Sequence, residues 1–468
     1  MIRYVALLVL ASSFARAQPL SPSAVLESVD RHHPVIAETV ALQDAAIAEI
    51  QSANGSFDPE LRAYGSITTG GYYDLRRLDV SVYQATPLWG ASFWAGYRIG
   101  HGELDNRYPT YYSDETLTRG EVRIGASIPL WRDGPLDARR ARQRRARYNA
   151  SEANSQREAQ ALDLHRRALN AYWLWVAAGT KFNVAQDLQR LASERLAQVQ
   201  GRVRAGALPE VEALEAERSL LSRRAKAVEE RRGLEASSFV LGLFLRDERG
   251  APRAPEAGQL PSGSMMPPPV GDVEGATQEA LVCHPRLRAS RAALEEVRIS
   301  RDLARAQRAP QIDARFQYSR DFGAGGNNED ESTITLPGDV FEAGLRISLP
   351  LGLRTARGAL DAAEARLTAR QQRLRLQEDV LATEIRDVAS AYQAALEQHQ
   401  LRVQLADTTS RLAEAERQRF AEGATTLLIV NLREQSVAEA QVAVVNALRA
   451  LWVAHARWIA ATTCERDS

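Results

Sequence analysis

Two hydrophobic periods alternate along this chain. In Phe341, Ala343, Leu345, Ile347 and Leu349 the apolar positions alternate with Glu342, Gly344, Arg346 and Ser348. Val122, Ile124, Ala126 and Ile128 alternate in the same way with Arg123, Gly125 and Ser127. Period two is the signature of a strand with one apolar and one polar face. Each run is about nine residues long, the length a tilted strand needs to cross a bilayer with apolar side chains toward lipid. Elsewhere the spacing is three to four, as in Leu374, Val380, Leu381, Ile385, Val388, Ala389, Tyr392 and Leu396, with Arg, Gln and Glu between them. That is the pattern of an amphipathic helix.

The helices this pattern predicts are long. Pro135 suits a first helical position, and the chain then holds no proline until Pro209, which predicts a helix over 135–205. Its 71 residues make a rod of about 105 Å at 1.5 Å per residue. Thr355 is a candidate N-cap for a second rod over 355–422, 68 residues and about 100 Å. Two shorter helices, 22–53 and 209–245, together span 69 residues, so that stacked end to end they match one rod. Ala359, Ala362, Ala363 and Ala365 permit the close approach of a coiled-coil-like wall.

The chain is written twice. The stretch from Ala24 to Arg62 and the stretch from Gln278 to Arg315 both run helix, His-Pro, helix, Pro, strand. Pro34 aligns with Pro285 and Pro59 with Pro310, at a constant offset of 251. EVRIGASIPL, ending at Leu130, matches EAGLRISLPL, ending at Leu351, with Pro350 lying 221 residues after Pro129. The first copy therefore holds 30 additional residues, which read equally as a longer surface hairpin or as two added strands. Both copies then enter a long helix and break at a glycine, Gly206 or Gly423. The organisation expected is a first repeat over 18–246, with strands within 60–131. A linker or equatorial segment over 247–271 follows, rich in Pro and Gly. The second repeat covers 272–463, with strands within 311–351 and a last helix over 427–462. Two strands per copy give four per chain, too few to close a barrel, so closure requires several subunits.

Composition narrows the setting. Arg3, the apolar run Tyr4–Leu10 and Ala15-Arg16-Ala17 read as a signal peptide over 1–17, cleaved before Gln18. The residue after that point is Gln18, not a cysteine that could carry a lipid anchor. No later apolar run approaches the roughly 18 to 20 residues of a helical membrane span. The 59 basic and 59 acidic residues cancel, which removes the electrostatic case for binding nucleic acid. Cys283 and Cys464, far apart in sequence, read as unpaired. Trp89, Trp94, Trp131, Tyr72, Tyr73, Tyr97, Tyr111 and Tyr112 cluster in and around the strands as an interfacial aromatic belt would, the other reading being the core of a soluble sheet. The stretch between Tyr318 and Thr335 reads as a polar surface loop.

Chemistry is sparse. His33 recurs as His284, but His32 becomes Cys283 and no carboxylate holds ligand spacing in both copies, so the histidines read as positional rather than metal-binding. HExxH, GxSxG, Walker and paired CxxC motifs are missing, and neither catalysis nor a cofactor or metal is expected. Arg139, Arg140, Arg142, Arg144, Arg145 and Arg147 open a long helix, where the macrodipole disfavours cations. Phospholipid headgroups and pairing with neighbouring Glu are the two readings for this cluster.

The duplicated His-Pro entries (His33-Pro34, His284-Pro285), the Pro-Leu strand ends (Pro129-Leu130, Pro350-Leu351) and the glycine turns at Gly206 and Gly423 occur in an order that resembles the TolC-like outer-membrane efflux family. The resemblance runs along essentially the whole chain after the signal. It implies a mainly α fold with β: a long α-helical coiled-coil barrel and a transmembrane β-barrel of twelve strands completed by a homotrimer. It implies an outer-membrane location extending into the periplasm, with conduction for an efflux or type I secretion system. The partners implied are a periplasmic adaptor, an inner-membrane RND, ABC or MFS transporter, and outer-membrane lipid. The adaptor-reading tips map onto Arg204, Gly206, Leu208, Phe420 and Gly423. Where some relatives close the periplasmic end with acidic side chains, this chain holds Ile429 and Leu432, so a hydrophobic constriction closing by dewetting is expected instead. The alternative is a periplasmic coiled-coil adaptor or scaffold. Such a protein would carry one hairpin flanked by compact β domains, not strands embedded in each helical repeat.

Overall fold

The computed structural model describes residues 18–464 apart from 71–72, 105–115, 262, 264 and 324–338. The signal read over 1–17, Tyr72, Tyr111, Tyr112 and most of the polar loop between Tyr318 and Thr335 lie outside the described residues. The elements run α1 (Pro22–His32), α2 (Pro34–Asn54), β1 (Glu60–Thr68), β2 (Tyr73–Ala85), β3 (Ser92–Leu104), β4 (Glu121–Pro129), α3 (Ala138–Arg204), α4 (Glu210–Gly242), α5 (Val273–Cys283), α6 (Pro285–Ala306), β5 (Gln311–Asp321), β6 (Asp339–Ser348), α7 (Arg354–Ala421) and α8 (Leu427–Thr462).

Proline sets the breaks. Pro34 lacks an N–H and forces the residue before it toward extended backbone, so His33 sits at φ −78°, ψ 128° and ends α1. The single helix expected over 22–53 is therefore two. His284 before Pro285 does the same between α5 and α6, at φ −59°, ψ 131°. The first long rod starts at Ala138, not Pro135. Asp137 is the group that caps it, its carboxylate accepting the Arg140 N–H at 2.8 Å and the Arg140 guanidinium at 3.0 Å. An acidic cap answers the question of what offsets the arginine cluster, because a carboxylate at the helix N-terminus lowers the macrodipole cost. Arg140 is further held by the carbonyls of Asp133 and Pro135, and Arg145 pairs with Glu296 at 3.3 Å. Arg139, Arg142, Arg144 and Arg147 stay exposed.

The chain divides into two compact units. The helical unit comprises the residues up to Val40, Gln156–Pro285 and the chain from Glu378. Val25 and Val29 of α1, Leu164, Tyr172 and Trp175 of α3, and Leu241 of α4 form one core there. Trp173 stacks on Trp452 with ring centroids 4.1 Å apart. The proline-rich segment between the repeats lies against these helices. Trp452 donates its indole N–H to the Met265 carbonyl at 2.8 Å, Tyr392 its hydroxyl to Pro268 at 2.9 Å, and Leu20 its N–H to Gln259 at 2.9 Å. Gly179 of α3 makes room for the Leu260 side chain, which a Cβ at that position would overlap.

Two expectations are corrected in this unit. Cys283 and Cys464 are joined in a disulfide, with Cα atoms 5.4 Å apart. The end of α8 returns to the α5–α6 break, where buried His284 lies 3.2 Å from the Ala460 carbonyl through Nε2. That contact brings two distant cysteines together. By length and composition α8 is also apolar enough to cross a membrane, the one such helix among the described residues.

The strand unit comprises Ala41–Ser155 and Arg286–Gln377. Among the described residues its six strands form a single antiparallel sheet in the order β1-β2-β3-β4-β5-β6. Four strands per chain were expected, and the 30 additional residues of the first copy supply the other two, the β2–β3 hairpin. Register partners run straight across the sheet, as in Arg62↔Ser81, Ser81↔Gly96, Gly96↔Arg123 and Arg123↔Ser319. Among the described residues the outer edges of β1 and β6 have no ladder partner.

Removing the disulfide with Cys283→Ser is expected to cost about 2–4 kcal/mol of stability, since the bridge closes a very long loop. Chemical denaturation of the variant and of the reduced wild type checks this, and both should shift to the same lower midpoint.

Candidate functional site

The sheet has two chemically distinct faces. Leu61 and Ile67 of β1, Leu78 and Val82 of β2, Phe93 and Tyr97 of β3, Val122 and Ile124 of β4, Phe316 of β5, and Phe341, Leu345 and Ile347 of β6 lie on one face, all exposed. Leu61 is 70% exposed and Phe341 69%. An apolar face this wide is far beyond the few hundred Å² that soluble monomers leave bare.

The opposite face is polar and internally paired. Asp79 accepts from Arg77 at 3.2 Å and also pairs with Arg123. Glu121 pairs with Arg98 at 2.7 Å and stands 3.9 Å from Arg123. Arg123 on β4 reaches Asp79 on β2 diagonally over β3, passing its own register partner Gly96, which has no side chain. Arg62 lies over the Tyr83 ring at 4.2 Å and Arg315 over the Trp94 ring at 4.8 Å. Trp94 lies across Gly125, where a Cβ would overlap its ring. A concavity of about 780 Å³ opens on this face, lined by Arg62, Asp79, Tyr83, Trp94, Arg123 and Arg315 among others.

The aromatic belt is corrected in part. Trp94 belongs to the polar face. Trp89, in the β2–β3 turn, and Trp131, just after β4, are exposed at the strand end nearest the start of α3, and Tyr97 is exposed on the apolar face.

In the helical unit the two glycine turns share one geometry. Gly206 takes φ 71° and Gly423 φ 77°. Ala207 donates back to Arg202 at 2.9 Å and Gly206 to Val203 at 2.9 Å; Ala424 donates to Arg419 at 2.8 Å and Gly423 to Phe420 at 3.1 Å. Each is the paired reversal that favours glycine at the left-handed position. Leu208 and Phe420 pack together with Val199, Ala216 and Leu427 in one apolar cluster. Arg204, Gly206 and Gly423 remain exposed. Ile429 is 36% and Leu432 52% exposed, three residues apart on the first turns of α8.

One residue that joins the helices of this unit had no sequence signal. Glu434 of α8, 1% exposed, binds Arg195 of α3 at 2.6 and 2.7 Å, Arg223 of α4 at 3.1 Å and Arg417 of α7 at 3.1 Å. A single carboxylate thus ties four helices together. Burial pushes its pKa up, but the hydrogen bonds and charges of the arginines outweigh that and hold Glu434 below the ordinary glutamate range. Nδ1 of His33 accepts the Val35 N–H at 3.2 Å, and the His33 ring stacks on Phe244 with centroids 5.9 Å apart.

Residues 276–462 match the family model "Outer membrane efflux protein". No curated protein sequence matches the chain. Solved structures of similar fold include the outer membrane protein VceC of Vibrio cholerae, with TM-score 0.65 and 17% identity over 94% of this chain and 95% of that one. The MtrE outer membrane channel of Neisseria gonorrhoeae in its open state is similar at TM-score 0.65 and 16% identity, over 94% and 88%. The CmeC outer membrane channel of Campylobacter jejuni is similar at 0.64 and 14%, over 95% and 87%. The fold is that of outer-membrane channels, mainly α with β.

Glu434→Gln is expected to destabilise the helical unit by about 3–5 kcal/mol, since it leaves buried guanidiniums uncompensated. A carboxylate with a depressed folded pKa contributes stability above its unfolded pKa and loses it as pH falls through the folded value. Thermal melts from pH 7 down to pH 3 should therefore show an acid loss in the wild type that is weaker in Glu434→Gln.

Proposed function

We infer that this chain, whose residues 276–462 match the outer membrane efflux protein model and whose fold is that of outer-membrane channels, is the subunit of a homotrimeric duct serving a tripartite efflux or type I secretion system. It resides in the outer membrane with its helices in the periplasm. It works by conduction, without covalent chemistry, cofactor or metal.

The observation that carries this reading is the two-faced sheet with both edges open. An apolar face suits lipid, and a salt-bridged face suits a water-filled lumen. Only a closed set of strands leaves no backbone group unsatisfied in hydrocarbon, so several copies must complete the wall. The half-buried apolar side chains of α8 suit a surface on which neighbouring copies pack. A free-standing periplasmic scaffold would leave the apolar sheet face in water.

The exposed tips at Arg204, Gly206 and Gly423 are the parts offered to a periplasmic adaptor, which in turn engages an inner-membrane transporter. Leu208 and Phe420 act there through packing, holding the two reversals side by side. Ile429 and Leu432, one from each copy, form an apolar constriction at the periplasmic end. Exposed Arg139, Arg142, Arg144 and Arg147 are available to phospholipid headgroups.

Detergent extraction of the native protein should yield a trimer from the outer-membrane fraction, and a soluble periplasmic monomer would refute the duct. In planar bilayers, Ile429→Ser combined with Leu432→Ser should raise single-channel conductance several-fold, because a polar ring no longer dewets. Unchanged conductance would remove the constriction from these residues.

A further inference from the structure

We propose that three copies join β6 of one to β1 of the next and close a barrel of 18 strands, with the β2–β3 hairpin built into its wall. This deepens the trimeric reading above and rests on it; the strand number is the new element, since the resemblance implies twelve.

The hairpin has the properties of wall strands. β2 is matched residue for residue with β1 from Thr68↔Leu75 to Glu60↔Tyr83, and β3 with β4 from Ser92↔Ser127 to Arg98↔Glu121. It also keeps the alternation of its neighbours, with Leu78, Val80 and Val82 on the apolar face and Asp79, Ser81 and Tyr83 on the polar one. Its polar face is tied into the sheet by charge. Asp79 of β2 is bound by Arg123 of β4, over the gap that Gly96 leaves in β3. A flap outside the wall would have neither the ladder nor that bridge.

The closing joint follows from direction and face. With six antiparallel strands, β6 runs opposite to β1, so β1 of the next copy meets it antiparallel and every joint of the ring has one geometry. An even insertion preserves this, which is how two strands can be added to one repeat without breaking closure. All residues of β6 are exposed, as are nearly all of β1. Leu61 and Ile67 continue the apolar face that Phe341, Leu345 and Ile347 end. Arg62 and Tyr64 continue the polar face that ends at Glu342 and Arg346. With strands about 4.8 Å apart and tilted about 40°, 18 strands give a backbone diameter of about 36 Å and 12 strands about 24 Å.

Electron microscopy of the wild-type trimer in detergent measures this directly. An outer-membrane end about 36 Å across with 18 strands is the result expected. A trimer with a ring of about 24 Å and 12 strands would overturn the inference while leaving the channel reading intact, and failure to find a membrane trimer would instead overturn that reading. For the joint, Ile67→Cys is combined in turn with Phe341→Cys, Ala343→Cys and Leu345→Cys. Oxidation of at least one pair should produce covalent trimers on a non-reducing gel. Free monomers in every pair would refute β6–β1 closure.

Discussion

A backbone amide in hydrocarbon has to find its partner in protein, and a sheet with two bare edges has not yet done so. That constraint organises the strand unit. β1 and β6 present open ladders, and every strand between them sends apolar side chains to one face and charged ones to the other. Neither feature suits a water-soluble monomer, and closure by further copies in a bilayer would remove both. The ion pairs of the polar face are largely buried, with Asp79 and Glu121 each held between two guanidiniums against the wall.

The helical unit faces a different difficulty. Rods of 67 and 68 residues with many alanines have little intrinsic reason to keep one axial position against each other. Specific polar contacts supply it. Glu434 fixes α3, α4, α7 and α8 at one level near the turns, and the disulfide fixes the end of α8 to the start of the second repeat. The paired glycine reversals complete the set, with Leu208 and Phe420 meeting in a shared cluster between them. A buried carboxylate among three guanidiniums is a costly way to gain stability but a selective one, since any axial slip leaves a charge unpaired.

Much of this was legible in the sequence, because period two and period 3.6 are easy to separate when elements are long. β4 and β6 announced themselves through strict alternation. β3 did not: Gly96, Gly100 and Gly102 fall on one face and leave no side chains to mark a period. The start of α3 was displaced because Pro135 and Asp137 are both helix-opening signals, and the cap hydrogen bond decides between them. The partnership of Cys283 and Cys464 depends on α8 returning to the α5–α6 break, a tertiary fact with no local mark. Glu434 looks in sequence like any solvated glutamate on a helix, and only the convergence of three other helices distinguishes it.

A sheet that serves as a membrane wall meets lipid on one face and water on the other. Spin labels placed singly along β4, from Val122 to Ile128, in protein reconstituted into liposomes test it most directly through collision with oxygen and with a water-soluble nickel complex. The expected accessibility has period two, with labels at Val122, Ile124, Ala126 and Ile128 meeting oxygen in lipid and those at Arg123, Gly125 and Ser127 meeting the nickel complex. Labels equally accessible to the nickel complex at every position would contradict it.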